Sequence, residues 1–312
     1  MSITVLQPGV LSLLQDSGRR GYHRLGLSNG GPLDGEAFHY CNRLLQNPAG
    51  CTVIEVSVGG LRLESAVATY CCLTGAAMPL SINGAERAAW EVHPVAAGDV
   101  IDIGFARSGC RAYFAVAGGF PVATSFGSTA TVVREHIGGL HGAPLRVGDI
   151  LPCSPVTGRR RLFLPAKDQP RYQTMLTVRV IPGYQQRQFS RAEQRRFFGG
   201  TYRVSERCDR MGYRLEGPPI HCAIAGILSE GICPGAIQLP PDGQPIVLLN
   251  DRQTIGGYPK IGSALSLDAA RLTQLVPGSR VHFAPITPRT AQRALQLARR
   301  FTLDKTLRER PA

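Results

Sequence analysis

The sequence predicts a mainly β fold that is divided into two barrel- or sandwich-like domains and carries few helices. Three observations support this prediction. Short apolar or alternating runs recur between glycine-rich turns, as strands do in barrels and sandwiches. Helix signals appear in only a few segments. With 312 residues and 43% hydrophobic side chains, the chain exceeds the roughly 250–300 residues at which single cores stop growing.

The predicted strands are short and closely spaced. Residues 52–58 are followed by Gly59-Gly60, and residues 80–82 are followed by Asn83-Gly84. Asn-Gly between two apolar runs is the strongest short signal for a β-hairpin. Further runs that predict strands are 61–63, 100–103, 111–116, 145–151, 177–181, 202–205, 246–249 and 280–283.

The predicted helices are marked by their ends. Asp34 is suited to cap a helix that continues to Gln46. The capping box 190–193 begins a second helix, which the glycine pair 199–200 ends. The pair 287–288, Thr-Pro, begins a C-terminal helix with an apolar stripe on one face.

A loop rich in proline and arginine predicts the joint between the two domains. We expect subdomain A at residues 1–155, a linker at 156–174, and subdomain B with the C-terminal helix at 175–312. Gly-Tyr-x-x-x-Gly occurs at Gly21 and again at Gly212. This internal echo suggests, but does not establish, that the two halves are related.

The net charge of +13 is unevenly distributed. Residues 1–156 have a net charge of −1 and residues 157–312 a net charge of +14. Within the second half, the net charge is +10 at 159–214 and +6 at 280–312. Nucleic acid is therefore an alternative partner, but the sequence contains no recognised nucleic-acid module. The intervening segment 215–279 carries −2. We expect no nucleic-acid binding and attribute the basic segments to attraction of anionic ligands or of an acidic partner subunit.

The cysteines and the chain start predict a cytoplasmic protein without a membrane span. Nine scattered cysteines form no Cys-x-x-Cys motif, and the histidines show no zinc-ligand spacing, so we expect reduced thiols and no metal site. The N-terminus lacks the pattern of a signal peptide. The uncharged stretch 65–85 contains Gly75 and Pro79, which predicts two strands and a turn.

The densest group of candidate functional residues lies at 243–262. An apolar strand at 246–249 leads directly into a polar segment, so a rigid element would deliver several polar side chains to one place. Lys260 is one of only three lysines, and an ammonium group is suited to hold a phosphate or carboxylate. The candidates in this segment are Asp251, Arg252, Gln253, Thr254, Gly256, Gly257, Tyr258 and Lys260. The segment is not a Walker-type phosphate loop.

A second group, Asp209, Arg210 and Tyr213, combines a carboxylate, a guanidinium and a phenol within five residues. Arginine binds carboxylates in a two-point fork, so this group is suited to recognise a carboxylate or an amide. The alternative is a surface turn with a local ion pair.

Two acidic residues and one cysteine are weaker candidates. Asp34 is predicted as a helix cap in preference to a catalytic acid. Glu55 lies inside an apolar strand and is either a buried functional carboxylate or solvent-facing. Cys233 lacks a nearby histidine motif and is not favoured as a nucleophile.

Six blocks, in order along about nine-tenths of the chain, carry a resemblance to a known family. They are QDSGRRGY at 15–22, GGPLD at 30–34, VAGG at 116–119, IGGL at 137–140, DRMGYRLEG at 209–217 and NDRQTIGGYPKIG at 250–262. The sequence resembles the biotin-dependent carboxyltransferase family, also called the allophanate hydrolase subunit 2 family. Within it, the resemblance is to the group of C subunits of ATP-dependent 5-oxoprolinases (PxpC), to which KipA-like proteins are related.

This resemblance implies two cyclophilin-like β-barrel subdomains, A and B, with a few peripheral helices. It implies a hydrolase subunit that opens 5-oxo-L-proline to L-glutamate at the expense of ATP with Mg, and that is active only with a PxpB-like and a PxpA-like subunit. The family gives no catalytic assignments, so the roles are inferred from the chemistry of the residues: Asp251, Lys260 and Asp209 are the expected catalytic residues. Arg210, Tyr213, Arg252, Gln253, Thr254, Gly256, Gly257 and Tyr258 are expected to bind substrate or ATP.

The lysines depart from the pattern that the family name suggests. A biotinyl lysine normally lies in Ala/Val-Met-Lys-Met, whereas Lys167, Lys260 and Lys305 have other neighbours. We therefore expect no covalently attached biotin. Two alternatives remain open: the carboxyltransferase component of a urea carboxylase-like enzyme that receives biotin from a separate carrier, and a non-catalytic regulator similar to KipA.

Overall fold

The structure is a computed structural model that describes residues 1–224, 226–302 and 305–310. The chain forms two units. Unit 1 consists of Met1–Arg19, Gly30–Tyr172 and the residues from Phe301 onward, and unit 2 of Arg20–Asn29 and Gln173–Arg300. Both units are discontinuous in sequence, whereas the predicted subdomains are continuous ranges. The boundaries 1–155, 156–174 and 175–312 stay a prediction.

Strands account for 33% of the chain and helices for 18%, which confirms the predicted mainly β class. The strands of the first half are β1 Ser2–Pro8, β2 Leu11–Gln15, β3 Val53–Ser57, β4 Leu61–Ser65, β5 Thr69–Gly75, β6 Leu80–Ile82, β7 Ala85–Arg87, β8 Val92–Val95, β9 Val100–Ile103, β10 Arg111–Val116, β11 Ile150–Pro152 and β12 Leu162–Phe163. Those of the second half are β13 Met175–Pro182, β14 Tyr202–Cys208, β15 Gly212–Glu216, β16 Glu230–Gly231, β17 Ala236–Gln238, β18 Ile246–Leu248, β19 Ile255–Gly256, β20 Lys260–Ala264, β21 Arg280–Pro285 and β22 Arg308–Glu309. The α-helices within the described residues are α1 Gly35–Leu44, α2 Arg191–Gly199, α3 Ser266–Leu272 and α4 Pro288–Thr302.

Unit 1 contains two large antiparallel sheets and the two-stranded sheet β12–β22. One large sheet has the order β11-β1-β4-β9-β6-β7 and the other β2-β3-β10-β5-β8. The main core takes buried side chains from both sheets, such as Leu63 of β4 and Phe114 of β10. A second core lies on the other face of β10, where Tyr113 packs with Tyr40 of α1. This explains why β10 is buried along its whole length, while β4 alternates between buried and exposed positions.

Unit 2 contains a closed barrel in the order β13-β20-β17-β18-β15-β14-β21. Strand β13 pairs with β20 in the antiparallel sense and with β21 in the parallel sense. Helix α2 packs on the barrel through Phe197, whose ring stacks on Phe283 at a centroid distance of 4.4 Å. The short pair β16–β19 forms a separate two-stranded ribbon. This ribbon leads through residues 257–259 into β20.

The predicted helix starts agree with the structure, whereas α1 ends at Leu44, two residues before the predicted Gln46. The side chain of Asp34 accepts a hydrogen bond from the amide of Ala37 at 3.1 Å, so Asp34 caps α1. Ser190 Oγ accepts from the amide of Glu193 at 3.2 Å and caps α2 in the same way. Both caps satisfy amides that the first turn of a helix leaves without partners.

The described part of the chain shows neither a membrane-spanning helix nor a disulfide bond. No helix in these residues combines the length and apolarity that crossing a bilayer needs. None of the nine cysteines, all of which are described, forms a disulfide.

Candidate functional site

The segment that carries most candidate residues begins with a tight turn. Gly243 has φ +73°, a conformation that favours glycine, and a Cβ at this position would lie 2.8 Å from the backbone nitrogen of Ile220. The chain then enters the barrel as β18, and the amide of Leu249 donates to the carbonyl of Met211 at 2.8 Å. The polar residues that follow are therefore placed beside the turn between β14 and β15.

Arg210 and Asp251 form a buried ion pair with two contact points. Arg210 Nε donates to Asp251 Oδ2 at 2.8 Å, and Nη2 donates to Oδ1 at 2.9 Å. Both side chains are 6% exposed. The amide of Asp251 also donates to the carbonyl of Arg210 at 3.0 Å. The structure thus brings the two predicted groups together, but in this pair each charge neutralises the other.

Asp209 and Tyr213 have local partners. Asp209 is exposed, and its Oδ1 accepts from the amides of Met211 at 2.8 Å and of Gly212 at 3.1 Å, which closes the turn before β15. Tyr213 is buried and donates its hydroxyl proton to the carbonyl of Thr273 at 3.0 Å. Their predicted roles in catalysis and binding stay predictions, and the visible contacts stabilise the barrel.

Arg252 is 1% exposed and has no carboxylate as a partner among the described residues. Its Nε donates to the carbonyl of Ile232 at 3.0 Å, and Nη1 donates to the carbonyl of Leu249 at 3.3 Å and to Asn29 Oδ1 at 3.4 Å. Nη2 is buried and makes no hydrogen bond in the described part of the chain. Burial lowers the pKa of the guanidinium. A buried cation in this state favours an approaching anion.

The segment Arg20–Asn29 supports the backbone of the same turn. Ser28 Oγ donates to the carbonyl of Arg252 at 2.8 Å. Asn29 Oδ1 lies 2.7 Å from Nε2 of the exposed His23. Asn29 therefore lies between an exposed imidazole and the buried guanidinium of Arg252.

Lys260 opens β20 and is 12% exposed. Its ammonium contacts Glu230 Oε1, while the backbone amide of Lys260 donates to Gln185 Oε1 at 2.7 Å. Gln185 Nε2 donates to Glu230 Oε1 at 3.0 Å, and the hydroxyl of Tyr184 contacts Oε2. The bond from Lys260, and after it that from Tyr184, holds the pKa of Glu230 below its usual value. We call Tyr184, Gln185, Glu230 and Lys260 the Glu230 cluster.

The remaining predicted residues lie on or beside the ribbon. Gln253 and Tyr258 are exposed. The carbonyl of Thr254 accepts from the amide of Ile232 at 3.0 Å, and that of Gly257 accepts from Ile227 at 2.9 Å. Strand pairing places Gly256 opposite Glu230. A Cβ at Gly256 would lie 2.5 Å from Cδ1 of Ile232, so the close approach that this glycine permits is to a neighbouring side chain.

Sequence reasoning missed three members of the Glu230 cluster as site residues. Glu230 was visible only as a charge beside a glycine loop, and Tyr184 and Gln185 belong to a polar 3-10 turn at Tyr184–Gln188. Glu230 lies 30 positions from Lys260 and 46 from Tyr184. No local motif connects residues at these separations.

Two acidic residues of the N-terminal half are held within unit 1. Glu55 is 1% exposed, and its Oε2 accepts from the amide of Leu33 at 3.0 Å and from the hydroxyl of Tyr113 at 2.7 Å. The carboxylate is therefore buried and not solvent-facing. Asp34 caps α1, as described, and accepts from the hydroxyl of Tyr172 at 2.7 Å.

The three lysines have different surroundings. Lys260 is held by Glu230, Lys305 donates to Glu36 at 3.2 Å, and Lys167 lies in a 3-10 turn at Ala166–Asp168. A carrier lysine has to reach another active site, so the two paired lysines do not fit this role. Within residues 1–224, 226–302 and 305–310, no three His, Cys, Asp or Glu side chains converge as a metal site would require. Cys233 is exposed and contacts Ser263 Oγ at 3.2 Å.

The fold is mainly β, with a unit of two large sheets and a closed barrel. One segment of the barrel unit carries Lys260 and the buried Arg252, which makes it a candidate site for an oxyanion. Residues 25–285 match the family model described as carboxyltransferase domain, subdomain A and B. The chain belongs to this carboxyltransferase domain family.

Similar proteins fall into two kinds. The chain is 34% identical over 301 residues to the 5-oxoprolinase C subunit of Escherichia coli (strain K12), and the match covers 96% of both chains. It is 31% identical over 303 residues to the protein of the same name from Haemophilus influenzae, covering 96% of this chain and 94% of that protein. The crystal structure of the Kluyveromyces lactis urea carboxylase is similar with a TM-score of 0.89 at 26% identity, covering 97% of this chain but only 29% of the other.

Proposed function

We propose that this chain is the C subunit of an ATP-dependent 5-oxoprolinase, which converts 5-oxo-L-proline to L-glutamate. One observation carries the proposal: the chain corresponds along nearly its whole length, and along nearly the whole length of the relatives, to two bacterial proteins of that name. The similar urea carboxylase is a much longer protein, of which this chain spans 29%.

The chemistry of the proposed reaction requires sites for anions. A lactam is a poor electrophile, and phosphorylation of its oxygen by ATP, with Mg, would create a good leaving group. Water would then add to the ring carbon, and the ring C–N bond would break while the nitrogen takes up a proton, which gives γ-glutamyl phosphate. A second water would hydrolyse this acyl phosphate to L-glutamate and phosphate. Both the substrate carboxylate and the transferred phosphoryl group are oxyanions, which cationic side chains in sheltered sites stabilise.

The geometry supports a division of roles among the candidate residues. Lys260 and Arg252 are proposed to bind anionic groups, Lys260 through its ammonium and Arg252 through Nη2, which makes no hydrogen bond to the residues that the structure describes. Gln253, Thr254 and Tyr258 are proposed to hydrogen-bond the ring or the phosphate. Arg210 and Asp251 are proposed to act through the position of the turn that carries Arg252, because both side chains are buried and bind each other at two points.

The proposal includes partner subunits. The catalytic assembly would contain a PxpB-like and a PxpA-like subunit, and this chain would be active only with them. The basic charge of residues 159–214 is suited to attract anionic ligands or an acidic partner surface. Nine thiols without a disulfide fit a reducing compartment such as the cytoplasm.

A second candidate is the carboxyltransferase component of a urea carboxylase-like enzyme. The match to the carboxyltransferase family model and the similarity to the Kluyveromyces lactis structure favour it. In that case biotin would arrive on a separate carrier, because none of the three lysines has the neighbours of a biotinyl lysine. A KipA-like regulator without catalytic activity is the third possibility.

Reconstitution tests the three candidates. The purified chain is combined with PxpB-like and PxpA-like subunits, and ATP hydrolysis is measured with and without 5-oxoproline. The proposed function predicts ATP hydrolysis that depends on 5-oxoproline and on all three subunits, with glutamate formed in equal amount. A complex that shows no such dependence contradicts it. Carboxyl transfer from a carboxybiotinyl carrier to an amide would instead support the second candidate.

A further inference from the structure

The Glu230 cluster lies where the ribbon joins the barrel. Glu230 is on β16, opposite Gly256 of β19, and Lys260 follows four residues later at the start of β20. Gln185 contacts both elements: its Oε1 accepts from the backbone amide of Lys260 at 2.7 Å, and its Nε2 donates to Glu230 at 3.0 Å. Gln185 is 7% exposed, so a buried amide fixes the carboxylate relative to the lysine.

Both oxygens of Glu230 have donors. Oε1 accepts from Lys260 and Gln185, and Oε2 accepts from the hydroxyl of Tyr184. Tyr184 is 74% exposed, while the Glu230 side chain is 32% exposed. The carboxylate therefore lies between a sheltered lysine and an exposed phenol, and the charged or titratable groups that contact it are Lys260 and Tyr184.

The ammonium of Lys260 is only partly used by this cluster. An ammonium group has three N–H donors. Among the residues that the structure describes, Glu230 is the one hydrogen-bond acceptor of Lys260 Nζ. A long lysine side chain loses its rotamer freedom when it is held at one point, so the contact with Glu230 directs the other two N–H bonds.

We infer that Glu230 is a positioning residue that holds the ammonium of Lys260 so that its other two N–H groups bind an anionic group of the substrate. This inference rests on the proposed function in one respect, that Lys260 receives a carboxylate or a phosphoryl group. Gln185 and Tyr184 hold Glu230 in turn. The inference adds Glu230, Gln185 and Tyr184 to the site.

The first test needs no enzymatic activity. The chain has three lysines, so acetylation by an N-hydroxysuccinimide ester, followed by peptide mass spectrometry, reports each of them separately. In the wild-type full chain we expect Lys260 to react more slowly than the exposed Lys167. Glu230→Gln should raise the rate at Lys260 about threefold or more, as loss of a partly exposed ion pair predicts, and leave Lys167 unchanged.

Two further variants make this test selective. Glu216→Gln removes an exposed carboxylate elsewhere on the barrel and should leave Lys260 unchanged. Tyr184→Phe removes the exposed donor to Oε2, together with the acceptor that Gln185 Nε2 reaches at 3.1 Å, and should give a smaller increase than Glu230→Gln. If Glu230→Gln does not fold, the acetylation rate of Lys260 in Tyr184→Phe still tests whether Glu230 holds the lysine. An unchanged Lys260 rate in a folded Glu230→Gln chain, or in Tyr184→Phe where only that chain folds, overturns the inference.

Acetylation in the presence of each ligand identifies the anionic group that Lys260 binds. 5-Oxoproline and ATP are added separately to the complete complex before acetylation. Protection of Lys260 by 5-oxoproline assigns the two N–H groups to the substrate carboxylate, and protection by ATP assigns them to a phosphoryl group. Protection by neither ligand overturns the ligand half of the inference.

Kinetics of the complete complex separate positioning from general stability. Glu230→Gln should lower kcat/KM about tenfold, as misplacement of a binding group does, and Glu230→Asp should restore part of this loss. Equal losses in both variants, with unchanged unfolding midpoints, contradict positioning. If the wild-type complex does not turn over 5-oxoproline, the proposed function fails, while the acetylation rates still decide whether Glu230 holds Lys260.

Discussion

Arg210 and Asp251, 41 positions apart in the sequence, bind each other through two hydrogen bonds of 2.8 and 2.9 Å in a buried site. The pair joins the turn before β15 to the turn after β18. It also places Arg252, the next residue, against the carbonyl of Ile232. The two most conspicuous charged residues of the motifs thus determine where their neighbour lies.

This pair predicts a large loss of stability when one partner is removed. Asp251→Ala removes the carboxylate that the buried Arg210 guanidinium binds at two points, and we expect the free energy of unfolding to fall by about 3–5 kcal/mol. Denaturant unfolding of the full chain measures this loss. The exposed pair Arg214–Asp242, at 3.6 Å, is the control. Asp242→Ala should cost less than about 1 kcal/mol, and equal losses in the two variants would refute the structural role.

The turn that begins the 243–262 segment makes a second prediction. Gly243 and Gly278 have φ of +73° and +83°, but only at Gly243 would a Cβ meet other atoms, 2.8 Å from the backbone nitrogen of Ile220. Gly278→Ala should therefore cost about 1–2 kcal/mol for the backbone conformation alone. Gly243→Ala should cost at least about 1 kcal/mol more. The difference between the losses of unfolding free energy in the two variants measures the clash of the new Cβ at Gly243 with the backbone of Ile220. A difference near zero would contradict this close approach.

His93 predicts a pH dependence of stability. It is 3% exposed, its Nε2 lies 2.7 Å from the carbonyl of Ala88, and burial lowers its pKa below the usual value of 6.5. The unfolded chain therefore binds a proton more readily than the folded chain. The neutral His93 side chain therefore contributes to the free energy of unfolding in full above pH 6.5. This contribution is lost as the pH falls from 6.5 through the lower pKa of His93 in the folded chain.

Denaturant unfolding at a series of pH values below neutrality checks this dependence. His93→Gln should reduce the fall in unfolding free energy, whereas the exposed His221 should matter little. If the unfolding free energy of His93→Gln falls with pH as steeply as that of the wild type, or if the fall disappears in His221→Gln, another group causes the effect.

Local signals predicted much of the fold. Asp34 and Ser190 cap helices because a side-chain oxygen reaches amides three residues later, and such short-range geometry is legible in the sequence. The strand runs predicted the mainly β class for the same reason. The burial of Glu55 was not predictable, because the alternation of residues along a strand does not show that α1 covers the second face of its sheet.

The site was predictable only in part. The motifs singled out Arg210, Asp251 and Lys260, and the structure places all three on barrel turns or strands. The motifs did not show that Arg210 and Asp251 pair with each other, or that Glu230 contacts Lys260 from 30 positions away. The first contact depends on the register between β15 and β18, and the second on the registers between β16 and β19 and between β17 and β20; no local pattern specifies these registers.

The role of Lys260 is tested most directly by comparing two lysine variants in the reconstituted complex with its partner subunits. Lys260→Ala should lower 5-oxoproline-dependent ATP hydrolysis about 100-fold or more, as removal of a group that stabilises developing charge does, without changing the assembly of the complex. Lys167→Ala removes an exposed lysine and should leave the rate unchanged. Wild-type turnover in the Lys260→Ala complex would contradict the proposed role of this lysine.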